Sequence, residues 1–191
     1  MRSRPARDEH ALRARLESTI KISHYVDYRA TYPYFEDVHE ALDAVAELVD
    51  ADLPGVAAEL AEYALDLLES ATGMLDDSRS GLGGAMSRAQ EIHLNACAAS
   101  PPNPTALAEM LVKRALTSDY EVFRTVLPDY EPILGPAGLA RYQELVEQAW
   151  QALPSKKRYG YDRRRSAITY LMEQLAELTE PVRSSMDLPS H

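Results

Sequence analysis

Carboxylates crowd one stretch of this chain. Between Arg29 and Arg79 no Lys or Arg occurs, while Glu36, Glu40, Asp43, Glu47, Glu59, Glu62, Asp66 and Glu69 recur at helical spacing. Such a row attracts cations, so its chemistry is recognition of a basic peptide or protein surface. On a solvated helix face the same row would serve solubility alone. Tyr25, Tyr28, Tyr32 and Tyr34 lie just upstream. Tyrosine buries a large ring and keeps a polar tip, which suits a contact surface. Those tyrosines, with Glu40, Asp43, Glu62 and Asp66, are the candidate protein-binding residues.

Charge of the opposite sign gathers far downstream, in Lys156, Lys157, Arg158, Arg163, Arg164 and Arg165, with Tyr159 and Tyr161 interleaved. Guanidinium groups bind phosphate and tyrosines stack on bases, so this segment is the alternative, nucleic-acid-binding site. A formal net charge of −10 opposes that alternative. It favours a basic protein or peptide as the partner.

Metal and catalytic patterns are thin. Glu36-x-x-His39 has the spacing of di-iron bundles, but the required second copy is missing, and Gln90-x-x-His93 comes nearest. His93 and Cys97, one turn apart, fit a buried helix face better than a zinc site, because no other Cys exists. Asp76, Ser78, Ser80 and Gly81 open like a calcium loop, yet Ser87 stands where its closing glutamate belongs. There is no Gly-x-Ser-x-Gly elbow, Walker-type loop or dinucleotide fingerprint. His24 with Asp27, Tyr28 and Arg29 reads as a buried polar network at a helix junction. The expectation is a non-catalytic chain with no metal and no cofactor. An enzyme would instead need His93, Asp76 or Glu91 to converge in a deep pocket.

These side chains must be positioned by helices. Apolar residues recur at three- and four-residue spacing nearly throughout, and period-two alternation is almost absent. The pattern predicts a helix over 7–23, an aromatic segment over 24–35 interrupted at Pro33, and a helix over 36–50. A further helix from Pro54 to about Ala71 packs back on it as a hairpin. An irregular stretch over 73–84 precedes a helix over 85–99 carrying His93 and Cys97. Asn103-Pro104 then caps a helix to about Leu116. Ser118 and Glu121 suggest a capping box for a short helix ended by Pro128. Gly135-Pro136 opens another, with Leu139, Tyr142, Val146 and Trp150 inward. The last helix carries Ile168, Leu171, Met172, Leu175 and Leu178, and a frayed tail follows from 179.

The 191 residues are 46% hydrophobic and suffice for a single helical domain with its core over about 7–178. The expected class is all-α, an α-solenoid-like stack of antiparallel hairpins resembling a tetratricopeptide superhelix, with a closed helical bundle as alternative. The single Cys97 excludes an intrachain disulfide framework. The charged start lacks an apolar leader and no stretch matches a bilayer span, so a cytoplasmic protein without a membrane partner is expected. Oligomeric state and partner identity are not legible at this level.

Several segments follow one another in an order that carries more information than any one of them. They are Tyr25-Val26-Asp27-Tyr28-Arg29, Ala61-Glu62-Tyr63-Ala64-Leu65 and Asp76-Asp77-Ser78-x-x-Gly81. Glu91-Ile92-His93-Leu94-x-Ala96-Cys97, Asn103-Pro104-x-Ala106-Leu107-Ala108 and Gly138-Leu139-Ala140-x-Tyr142 continue the series. Over roughly Leu12 to Leu178 this resembles an uncharacterised all-helical domain of bacterial SWIM zinc-finger proteins and their stand-alone relatives. The resemblance implies a solenoid-like module that, in the longer proteins, accompanies a finger thought to bind nucleic acid or protein. The finger's three cysteines and histidine cannot be built from Cys97 alone, so zinc binding does not carry over.

Overall fold

A computed structural model describes residues 4–76, 81–118, 121–154 and 162–179. Among these residues the chain is all-helical. α1 spans Arg4–Ile20, α2 Tyr28–Asp50, α3 Pro54–Ser70, α4 Gly81–Ala99, α5 Pro104–Thr117, α6 Leu127–Gln151 and α7 Arg163–Thr179. One 3₁₀ turn, Glu121–Phe123, precedes α6.

The main departure from the sequence reading is the start of α2, which runs straight through Pro33. Asp27 is extended, and its carboxylate accepts from the backbone N–H groups of Arg29 and Ala30 at 2.9 and 3.1 Å. This cap starts the helix upstream of the proline. Pro33 then costs one intrahelical hydrogen bond, which burial of Val38, Ala41, Leu42, Val45 and Leu48 further along outweighs. The buried polar network expected around His24 is not what these residues build, because His24, Asp27, Tyr28 and Arg29 are all exposed. The His24 ring has Ser23 Oγ at 3.4 Å, and Asp27 serves as the cap instead.

Asp52, with φ 60°, reverses the chain between α2 and α3, and Pro54 opens α3. The connections before α2 and after α3 are tied together. Val26 N–H donates to the Met74 carbonyl and Asp76 N–H to the Val26 carbonyl, both at 3.0 Å, making an isolated parallel bridge between Val26 and Leu75. Asp76 is thereby set beside the first turns of α2.

α5 begins as its cap predicts, with Asn103 accepting from Thr105 and Ala106 N–H at 3.0 and 3.1 Å. Ser118 caps the C-terminal end of α5, and the next described element is the 3₁₀ turn Glu121–Phe123 rather than an α-helix. Pro128 sits in the opening turn of α6, so regular helix restarts at Leu127. Gly135-Pro136 marks a real break: Gly135 has φ 54° and ψ −171°, and α6 is two helical segments joined at that kink.

Within α1 to α4 and within α5 to α7 the helices pack on neighbours one or two places along the chain, whereas α4 and α5, though consecutive, do not pack broadly on each other. α1 meets α2 and α3, α2 meets α3 and α4, and α5 meets α6 and α7, while α4 touches α6 and the 3₁₀ turn. The broadest contacts are α3 with α4 and α5 with α6. Buried side chains form one cluster running from Leu16 to Leu171. Two residues expected inward lie at the surface, Trp150 at 40% and Met172 at 37% exposure. The buried stripe of α7 centres on Ile168 and Leu171, which puts Gln174 inside and Met172 on the flank.

Candidate functional site

α2 turns Tyr32, Phe35, Glu36, Asp37, His39, Glu40 and Asp43 toward a cleft of about 570 Å³, which Asp76 and Gly81 complete from the other side. No Lys or Arg is among its described lining residues. Phe35 forms part of its floor, with the ring so close to Gly81 at the start of α4 that no Cβ would fit there. Tyr34 meets the Phe35 ring edge-on at 5.0 Å. Tyr32 is 62% exposed. A hydrogen bond to Glu36, then the charge of that carboxylate, push its phenol above the ordinary range.

Arginines approach this row from both flanks. Arg88 of α4 donates through Nε and Nη2 to Asp43 Oδ1 at 3.2 and 2.8 Å, and through Nη1 to Glu91 at 2.9 Å. Arg15 of α1 stops 3.7 Å from Glu40. The cleft is therefore an acidic trough with aromatic walls, able to bind a cation by charge and by ring contact.

Not all the sequence candidates gather here. Tyr32, Glu40 and Asp43 line the cleft. Tyr25 and Tyr28 are exposed just before α2 and at its first residue. Tyr34 turns inward, where its hydroxyl donates to the Ile20 carbonyl at 2.7 Å and burial pushes its phenol up to about 12. Glu62 and Asp66 belong to a different place altogether. Asp66 Oδ1 accepts from Arg114 Nη2 at 2.8 Å, and the same guanidinium donates to the Glu62 carbonyl at 3.1 Å and to Glu69 at 3.4 Å. Arg114 is almost wholly buried and also lies 5.7 Å from the Phe123 ring centre. Asp66 and Glu69 of α3 thus clamp α5, whereas on α2 Asp43 is held by Arg88 and Glu36, Asp37 and Glu40 line the open cleft. Glu36 of the acidic row, with Asp37 and Asp76, joins the cleft beyond the candidate set; its four-residue spacing from Glu40 puts the two on one helix face.

Glu62 joins a buried polar group at the junction of α3, α4 and α6. His93 Nε2 lies 3.2 Å from Glu62 Oε1, and His93 Nδ1 lies 2.8 Å from the Tyr130 hydroxyl. Cys97 Sγ is 3.5 Å from His93 Nε2. The hydrogen bond from His93 holds the Glu62 carboxyl below the usual carboxylate range, against the opposing effect of burial. Burial, then the Glu62 charge, push the Cys97 thiol up to about 12. A thiol so held is not a thiolate nucleophile at neutral pH. Asp76 lines the cleft, Glu91 is exposed on Arg88 and His93 is sealed, so these three do not converge on one pocket. No group of three or more His, Cys, Asp and Glu among the described residues is arranged to hold a metal ion.

Of the basic stretch, Lys156, Lys157 and Arg158 lie outside the described residues, as do Tyr159 and Tyr161. Arg163 donates to the Ser118 carbonyl at 3.1 Å. Arg165 donates to the Pro154 carbonyl at 2.7 Å and stands 5.6 Å from the Trp150 ring centre. Arg163 and Arg164 line a hollow of about 170 Å³ together with Arg124, Thr117 and Ser118.

A family of unknown function, DUF6880, matches residues 2–185. No curated protein and no solved structure matches the chain. No helix among the described residues is long and apolar enough to cross a membrane.

Proposed function

We propose that this chain, which belongs to the DUF6880 family of unknown function, is a recognition module that binds a basic peptide segment of a protein partner. The observation that supports this reading is the cleft of α2, where Glu36, Asp37, Glu40, Asp43 and Asp76 surround Tyr32 and Phe35. Carboxylates there select a cation and steer its approach, while the rings supply apolar area. A solenoid-like stack of hairpins is the framework we favour. Its support is the near-neighbour packing within α1 to α4 and within α5 to α7, as in such stacks, although the α4 to α5 step departs from that pattern. The resemblance to helical domains of SWIM zinc-finger proteins agrees with a recognition role.

Fluorescence anisotropy with a labelled basic peptide tests the reading. Binding is expected to weaken as salt rises from about 50 to about 300 mM, since exposed charges are screened. Glu36→Gln, Asp37→Asn and Glu40→Gln combined should lower affinity about tenfold. Failure of wild type to bind, or full retention of binding by the triple variant, overturns the proposal.

A second reading attaches to the other end of the chain, where Arg124, Arg163 and Arg164 line one small hollow and guanidinium groups are good phosphate donors. Salt-sensitive binding of labelled DNA or RNA, lost when Lys156 to Arg158 and Arg163 to Arg165 are replaced, would support it. Absence of such binding removes it.

A further inference from the structure

We infer that the group anchoring the guest in the α2 cleft is a guanidinium, and that Arg88 is the resident competitor for it. This inference rests on the cleft being a basic-peptide site and names the side chain that site selects. Asp43 lines the cleft, and one of its oxygens already receives two N–H groups of a single guanidinium. That guanidinium comes from α4 and is anchored on its far side by Glu91. The cleft's own carboxylate thus displays, occupied, the contact that an arginine from outside would make.

Arginine fits the remaining wall better than lysine for a geometric reason. Glu36 stands beside the exposed ring of Tyr32, so a planar fork can bond the carboxylate while stacking on the ring. A lysine ammonium is a strongly hydrated point charge with neither a planar face to lay on the ring nor a fork to match the carboxylate. The chain makes the ring contact elsewhere, with the Arg13 guanidinium 4.6 Å from the Tyr63 ring centre.

Competition follows from placement. The Arg88 side chain is 32% exposed and Asp43 61% exposed, so their ion pair is accessible to an incoming cation. A guest arginine reaching Asp43 meets a position already filled and a positive charge already present. Withdrawing Arg88 frees the carboxylate and removes the repulsion together. Arg88 accordingly sets the affinity of the cleft without contributing to its attraction.

The test is anisotropy with two labelled peptides of equal charge, one with arginines and one with lysines, on wild type, Arg88→Gln and Arg88→Lys. The arginine peptide should bind wild type more tightly than the lysine peptide. Arg88→Gln should tighten arginine-peptide binding about three- to fivefold, the worth of one exposed ion pair. Arg88→Lys keeps the charge, loses the fork, and should fall between the two; it also carries the test if the glutamine variant does not fold. Unchanged or weaker binding by the Arg88 variants, or equal binding of both peptides, overturns this inference and leaves the basic-peptide reading standing. If neither peptide binds wild type or either variant, the reading of the cleft falls and this inference with it.

Discussion

The Tyr130 hydroxyl lies 2.8 Å from Nδ1 of His93, joining the first half of α6 to the buried face of α4 across 37 positions of sequence. The contact matters because α4 and α6 otherwise touch sparingly. It also sets the imidazole: with Nε2–H donating to Glu62, Nδ1 is the acceptor for the Tyr130 proton. Tyr130 has a further neighbour in the Gln90 carbonyl at 3.4 Å.

Tyr130→Phe removes the hydroxyl and leaves the buried Nδ1 of His93 with only the weak Cys97 Sγ contact at 3.7 Å. The expected cost is about 1–3 kcal/mol. Urea unfolding should show a lower midpoint with an unchanged slope, because the surface exposed on unfolding stays the same. An unaltered midpoint would show that the hydroxyl contributes nothing at this joint.

Glu62 makes part of the fold's stability depend on pH. Its carboxyl lies below the ordinary range in the folded state, chiefly through His93. Its contribution is therefore present above the unfolded carboxylate pKa and is lost as pH falls through the lower, folded value. Glu62→Gln should be less stable than wild type near neutrality. Its thermal midpoint should also fall less between about pH 6 and about pH 3. Parallel acid profiles for the two proteins would contradict this.

Cys97 should react slowly with thiol reagents. It is buried, and its thiol is pushed up to about 12. Absorbance-monitored labelling at about pH 8 should be slow in the native protein and fast in denaturant. Rapid labelling of the folded chain would mean that the α4 face opens.

Gly138 and Gly55 should respond to alanine in opposite directions. A Cβ at Gly138 would stand 2.9 Å from Leu134 and 3.1 Å from the Pro104 carbonyl, where α6 crosses the start of α5. Gly138→Ala should therefore destabilise by about 1–3 kcal/mol. At Gly55, in the first turn of α3, nothing lies within 4 Å of the added atom. Gly55→Ala should stabilise by up to about 1 kcal/mol through helix propensity and unfolded-state entropy. Thermal unfolding of the pair decides, and shifts of the same sign would refute the packing account.

Much of this architecture was legible in the residues. The all-helical class, the Asn103 cap, the break at Gly135 and burial of the His93–Cys97 face follow from periodicity and local backbone chemistry. Local rules misjudged Pro33, because the Asp27 cap moved the helix start and packing of the later stripe carried α2 through the proline. They also overextended the Ser118 capping pattern.

The candidate site was legible only in part. The sequence by itself determined that acids would line α2 and α3 without basic neighbours, and that tyrosines would precede them. Tertiary structure alone decided which acids stay available. Arg114 and His93, distant in sequence, fold onto the α3 row and pair with Asp66 and Glu62, and Arg88 pairs with Asp43, while Glu36, Asp37 and Glu40 of α2 line a cleft completed by Asp76 and Gly81. Spacing sets which side chains share a helix face, but the charge left on that face depends on partners brought in by helix packing.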